Sequence, residues 1–72
     1  MKVQEIDAEQ TAKNLRRLRK QSGISVKEMT DAGLNRSCIY DWETGRYTPG
    51  IDSLVILSDL YNVPFEEIIA MK

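Results

Sequence analysis

Several side chains that could hydrogen-bond to a ligand lie in one short stretch, residues 35–46. If this stretch is helical, its polar side chains share one side: Arg36, Ser37, Tyr40, Asp41 and Thr44. The apolar side chains Cys38, Ile39 and Trp42 fall within an arc of about 100° on the other side. A guanidinium can donate two parallel hydrogen bonds to a guanine edge, and a carboxylate can accept one from the amine of cytosine. The pattern therefore offers recognition by hydrogen bonding rather than the making and breaking of bonds.

The composition lacks the residues that most enzymes and metal sites need. The 72 residues include no histidine and one cysteine, so the chain has no imidazole base and cannot form an ordinary zinc site or an internal disulfide. No nucleophile–base pair stands out, which makes an enzyme the least favoured interpretation. We expect no cofactor and no small-molecule ligand.

The expected compartment is the cytoplasm. No apolar run approaches the roughly 18 residues of a membrane span, so no membrane partner is expected. The first seven residues lack the apolar stretch of a signal peptide. A single thiol also suits a reducing environment.

Charge is distributed unevenly along the chain, although the net charge is only −1. Residues 1–20 hold six basic and three acidic side chains, whereas residues 47–72 hold one basic and four acidic side chains. The N-terminal part is therefore expected to be basic and the C-terminal part acidic, and local charge governs attraction to a polyanion. Four basic residues share one face of the first predicted helix: Lys13, Arg16, Arg17 and Lys20. We favour a solvent-exposed face over one that contacts phosphates.

Helical periodicity and helix breakers divide the chain into five predicted helices, at about residues 8–22, 25–32, 36–44, 51–61 and 64–71. Three of them begin at residues that cap helices: Asp7 with Gln10, Ser25 with Glu28, and Asn35. Asn62 is expected to end the fourth helix. Because strand signals are nearly absent, we predict an all-α fold, with a tail at residues 1–7 and one domain over residues 8–72.

The segment from Ser25 to Gly45 has the outline of two capped helices joined by a short turn that contains glycine. Further motifs surround it in a fixed order: Leu15-Arg16-Arg17-Leu18-Arg19, Gly23-Ile24-Ser25, Arg36-Ser37-Cys38-Ile39, Trp42-Glu43-Thr44-Gly45-Arg46, Leu54/Leu57/Leu60 and Asn62-Val63-Pro64. With these motifs, residues 11–70 resemble the lambda-repressor/Cro-like (XRE) helix-turn-helix family. The resemblance implies a compact five-helix DNA-binding domain whose third helix is the recognition helix.

The resemblance also implies roles for individual positions. Arg36, Ser37 and Asp41 are expected to read bases, with Tyr40 beside them on the same face. The residues expected to contact phosphates are Ser25, Val26, Lys27, Asn35, Thr44 and Arg46. Arg19 and Glu43 are expected to form a structural ion pair, and helical geometry independently places Arg19 on the apolar stripe of the first helix.

The function that the resemblance implies is sequence-specific binding of double-stranded DNA by a small transcriptional regulator. A repressor of a phage or mobile element and an antitoxin both fit this size. The alternative is a protein-interaction module that keeps the helix-turn-helix scaffold without binding DNA. Three features favour the alternative: Val26 stands where the family usually has glutamine, Asp41 is negative on the reading face, and the C-terminal half is acidic. The second helix is also expected to be one residue shorter than is usual in the family, which would change its angle to the third helix.

The last two predicted helices carry more apolar residues than a small core can bury. We expect a homodimer through these helices, and the other explanation is burial beneath Val3 and Ile6. On the third helix, Trp42 is expected in the core and Cys38 is expected to be a small buried hydrophobic residue.

Overall fold

A computed structural model describes residues 5–72. Within them the helices are α1 (Ala8–Ser22), α2 (Val26–Asp31), α3 (Arg36–Glu43) and α4 (Ile51–Tyr61), followed by a 3₁₀ turn at Phe65–Glu67. The all-α prediction is confirmed, but the prediction of five helices is wrong, because four α-helices form in the described residues. None of these helices has the length and apolar composition needed to cross a bilayer. The predictions that concern Val3 and the start of the tail fall on residues 1–4, outside the described residues.

Asp7 is the N-cap of α1, and its Oδ1 accepts a hydrogen bond from the backbone N–H of Gln10 at 3.0 Å. The Gln10 side chain donates to Asn14 instead of returning to Asp7, so only half of the predicted capping box forms. One stripe of α1 is buried: Thr11, Ala12, Leu15 and Leu18. This is the stripe that the helical repeat predicts.

α2 and α3 form the predicted helix-turn-helix. Ser25 and Glu28 make both hydrogen bonds of a capping box at the start of α2. The helix is six residues long and is followed by Gly33, whose φ of 110° is in a region that side chains avoid. In the turn that follows, Leu34 is buried and Asn35 is the N-cap of α3.

Gly45 brings the end of α3 against the start of α1. Its φ is 79°, and a Cβ at this position would lie 3.6 Å from the carbonyl oxygen of Ala8. Glycine adopts this backbone conformation without steric cost. α4 then spans the predicted residues, Ile51–Tyr61, and ends at Asn62 in the left-handed conformation with φ 54°.

One cluster of apolar side chains joins the four helices. It includes Leu15, Met29, Ile39, Trp42, Leu57 and Ile68. A fully buried leucine or isoleucine contributes about 1.5–3 kcal/mol to folding. Inside the cluster the Tyr61 hydroxyl donates to Met29 Sδ at 3.7 Å, and burial, reinforced by the negative charge of Glu43, raises the pKa of Tyr61 to about 12.

The helix predicted for residues 64–71 is absent, and Phe65–Glu67 form a single 3₁₀ turn. After this turn the chain is extended and pairs with the segment before α1. The N–H of Asp7 donates to the Ala70 carbonyl at 2.7 Å, and the N–H of Lys72 donates to the Glu5 carbonyl at 2.9 Å. The described part of the predicted tail is therefore hydrogen-bonded to the C-terminal segment.

Side chains of α1 form two more hydrogen bonds with backbone groups of this C-terminal segment. Asn14 Nδ2 donates to the Ile68 carbonyl at 3.1 Å, and the N–H of Ala70 donates to Thr11 Oγ1 at 3.0 Å. Every buried backbone polar group needs a partner, and here the partners are tertiary. These groups are therefore not available for a fifth helical ladder.

Cys38 is exposed, so the prediction that it is buried is wrong. Ile39 and Trp42 hold α3 to the core, and Cys38 lies about 40° beyond Trp42 around the helix. Among residues 5–72, Cys38 is therefore left exposed to solvent in that direction. Trp42 is buried, as predicted.

Candidate nucleic-acid interface

The outward side of α3 carries the four residues predicted to read bases. Because Ile39 and Trp42 are buried, α3 presents a fixed side to solvent. Arg36, Ser37 and Tyr40 are exposed there, Tyr40 by 67%, and Asp41 is half-buried. The structure therefore brings these side chains together on one surface, and their contacts with bases stay a prediction.

Asn35 organises the first turn of α3. Its Oδ1 accepts hydrogen bonds from the backbone N–H groups of Ser37 at 2.8 Å and Cys38 at 3.3 Å. Among residues 5–72, neither the Asn35 side-chain amide nor the Arg36 N–H has a protein acceptor. Both groups can donate to an anion, which the positive end of a helix favours.

At the start of α2, the hydroxyl of the N-cap residue Ser25 is already hydrogen-bonded to Glu28. Its Oγ accepts from the N–H of Glu28 at 3.1 Å and donates to Glu28 Oε1 at 3.2 Å. Val26 presents a backbone N–H and a half-buried aliphatic side chain. Lys27 Nζ lies 3.0 Å from Asp31 Oδ2 in an exposed pair, and such a pair contributes only about 0.3–0.5 kcal/mol. Lys27 can therefore exchange this partner for a phosphate at little cost.

Thr44 and Arg46 follow the recognition surface at the end of α3. The Thr44 hydroxyl donates to the carbonyls of Tyr40 at 2.9 Å and Asp41 at 3.2 Å. A phosphate contact from this hydroxyl requires it to rotate away from them. The Arg46 N–H donates to the Asp41 carbonyl at 2.9 Å, and its guanidinium lies 5.9 Å from the ring centroid of Tyr47. Tyr47 was not predicted as a site residue. Its position next to Arg46 in the sequence is the feature that could have indicated this contact.

Arg19 and Glu43 form a bidentate ion pair between α1 and α3. Arg19 Nε and Nη2 donate to the two carboxylate oxygens of Glu43 at 2.7 and 2.8 Å. The Glu43 side chain is 12% exposed and that of Arg19 is 36% exposed. Hydrogen bonding to Glu43 raises the pKa of Arg19, against an opposing effect of burial. The pair fixes the end of α3 relative to α1.

The basic face of α1 has two contacts that the sequence did not reveal. Arg16 Nη1 donates to the backbone carbonyl of Glu43, adding a second cation at the C-terminal end of α3. Arg17 Nη2 lies 3.9 Å from Glu67 Oε2. The Arg16 contact with the backbone of α3 supports a structural role for Arg16, whereas the exposed Arg17 pair is weak.

Two surface concavities could not be predicted from the sequence, because residues far apart along the chain line them. A hollow of about 290 Å³ lies between the start of α2 and α3 and is lined by Arg19, Val26, Arg36, Ile39, Tyr40 and Glu43. A groove of about 480 Å³ is lined by Ile6, Pro49, Gly50, Ile51, Leu54, Phe65, Ile69 and Met71. No residue of the groove belongs to the predicted DNA-contacting set.

The fold and this surface define a helix-turn-helix domain with a solvent-facing second helix in the motif. Residues 15–68, more than half of the chain, match the family model described as helix-turn-helix. The chain belongs to this family, and the resemblance to its XRE-like members is confirmed. Comparison with curated proteins and with solved structures gave no match.

Proposed function

We propose that this protein binds double-stranded DNA sequence-specifically by placing α3 in the major groove, and that it acts as a small transcriptional regulator. The outward side of α3 carries the proposal, because its exposed polar side chains are backed by the buried Ile39 and Trp42. The major groove admits one α-helix. Family membership supports the same role by analogy. A repressor of a phage or mobile element and an antitoxin are the two settings that fit.

In this proposal each exposed side chain of α3 has a role set by its chemistry. Arg36 donates both guanidinium hydrogen bonds to O6 and N7 of a guanine, which discriminates against other bases by about 1–3 kcal/mol. Asp41 accepts from the N4 amine of a cytosine, and Ser37 donates to or accepts from a neighbouring base edge. Tyr40 lies against the same base pairs.

Phosphate contacts set the register of α3. Donors are available at both helix starts and beyond α3, from the Asn35 amide, the Val26 N–H, the Lys27 ammonium and the Arg46 guanidinium. Ser25 acts mainly by holding the start of α2, since its hydroxyl is committed to Glu28. Thr44 joins these contacts after its hydroxyl rotates.

A homodimer reading a two-fold symmetric site completes the proposal. One copy of α3 reaches only a few base pairs, and two copies double the recognised sequence. The apolar groove offers the interface, because Ile51 is 68% exposed and Phe65 and Met71 are also exposed in it. Sedimentation of the wild type and of I51E should give a dimer and a monomer respectively. A monomeric wild type at high concentration would remove the dimer from the proposal.

Amide NMR titration with a short mixed-sequence duplex tests DNA binding directly. At low salt we expect chemical-shift changes clustered at residues 25–27 and 35–46. These changes should weaken at higher salt, because bound phosphates release counterions. Shifts confined to the basic face of α1, or no shifts at all, would contradict the placement of α3 on DNA.

Two arginine variants separate the interface from general basicity. R36A removes a guanidinium from the α3 surface, and R17A removes one of equal charge that contacts Glu67 instead. We expect R36A to weaken binding to a selected duplex by about tenfold or more. R17A should change affinity less than twofold, and equal losses from both variants would indicate charge attraction without recognition.

A protein-interaction module on the same scaffold is the second candidate. The apolar groove favours it, as do the four acidic side chains of residues 47–72. Binding to duplex DNA that weakens with salt and depends on Arg36 is the result that excludes this candidate.

A further inference from the structure

The hollow between α2 and α3 is lined by apolar side chains and by one available cation. Val26, Ile39 and Tyr40 supply aliphatic and aromatic surface. Two further lining residues, Arg19 and Glu43, are already paired with each other. Arg36 also lines the hollow and has no ion-pair partner among residues 5–72. Arg36 is therefore the charged side chain of the hollow that is available to a ligand.

This chemistry suits one feature of the DNA major groove. The C5-methyl of thymine is the apolar group that base pairs expose there, and proteins read it through carbon contacts. Arg36, which also lines the hollow, can donate hydrogen bonds to guanine O6 and N7. Apolar walls and an arginine that share one concavity match a thymine next to a guanine.

We propose that the hollow receives the C5-methyl of a thymine adjacent to the guanine bound by Arg36, so that Val26 and Tyr40 are specificity-determining residues. The inference rests on the proposed function, since it requires α3 in the major groove. Val26 suits this role because a β-branched side chain is restricted to few rotamers and is held in place before binding. Tyr40, exposed by 67%, gains cover for its ring when the methyl is bound.

The test begins with a duplex selected by this protein from a randomised pool. Each thymine of that duplex is then replaced in turn by deoxyuridine, which removes the C5-methyl and nothing else. We expect the replacement next to the Arg36-dependent guanine to weaken binding about three- to fivefold, the effect of one buried methyl group. Replacement elsewhere should have a smaller effect.

Protein variants assign the effect to the hollow. V26T exchanges one methyl for a hydroxyl at nearly constant shape and should reduce the thymine–deoxyuridine ratio to below twofold, as should Y40A. V55T makes the same exchange at an exposed valine of α4 and should leave the ratio unchanged. A thermal unfolding curve of V26T that matches the wild-type curve shows that the variant is folded.

The outcomes distinguish this inference from the proposed function. If no duplex binds in a salt-dependent way, the proposed function fails and the inference fails with it. If a duplex binds but no thymine next to guanine shows the methyl effect, only the inference is overturned. A methyl effect that persists unchanged in both V26T and Y40A overturns it as well.

Discussion

The ion pair between Arg19 and Glu43 predicts an asymmetric response to mutation. R19M leaves the Glu43 carboxylate, 12% exposed and on a short side chain, without its two charged hydrogen bonds. E43Q leaves Arg19, which is 36% exposed and long enough to move its guanidinium into water. Removing the arginine should therefore destabilise the protein more than neutralising the glutamate.

The magnitudes follow from burial. Breaking one side of a fully buried pair costs about 3–5 kcal/mol, and solvent screening at the partly exposed guanidinium lowers the expected cost of R19M to about 2–3 kcal/mol. E43Q keeps one acceptor for Arg19 and should cost about 1 kcal/mol. A 72-residue domain has roughly 4–10 kcal/mol of stability in total, so R19M removes a substantial share.

Urea unfolding followed by the fluorescence of Trp42, the only tryptophan, measures these losses. R16M serves as the control, because it removes a hydrogen bond to the Glu43 backbone carbonyl without touching the carboxylate. It should cost less than about 1 kcal/mol. The double variant R19M/E43Q should be more stable than the sum of the single losses predicts. The reasoning is refuted if R19M costs no more than E43Q, or if both cost less than about 0.5 kcal/mol.

Three further predictions concern stability. The pKa of Tyr61 is raised from 10.0 to about 12 in the folded protein, so above pH 10 the unfolded chain loses this proton first. The free energy of unfolding should therefore fall by about 2–3 kcal/mol towards pH 12. In urea unfolding at alkaline pH, Y61F should lack this share of the loss, and an equal pH dependence of stability in both proteins would refute the assignment. G45A should cost about 1–2 kcal/mol in the same assay because φ is 79° there, and a neutral result would show that the backbone relaxes. G50S should stabilise the protein by a few tenths of a kcal/mol, because Gly50 is an N-cap of α4 without a side-chain hydrogen bond, and a raised Tm would confirm it.

Local chemistry made several parts of this fold predictable. Ser25 and Asn35 cap helices through their own side chains, and Asn62 tolerates the left-handed conformation that ends α4. The buried stripe of α1 follows from the spacing of Leu15 and Leu18 on one helical face. These features depend on neighbours within a few residues, so the sequence carries them directly.

The candidate interface was predictable only in part, because its parts come from different elements. The order of Arg36, Ser37, Tyr40 and Asp41 along one helix gives their common side. Their relation to Val26 depends on the angle between α2 and α3, which the turn and the core set. The hollow that Val26 shares with Arg36 and Tyr40 was therefore not visible in the sequence.

The sequence by itself determined the helix starts, the helix-turn-helix and the polar side of α3, since caps and helical periodicity are local interactions. Only the tertiary structure decided the conformation of residues 68–71, whose pattern favours a helix. Their backbone groups bond instead to α1 and to the segment around Asp7, and these partners lie more than 50 residues away along the chain. Cys38 follows the same rule, because its exposure depends on which helix packs beside α3 and not on its own apolar character.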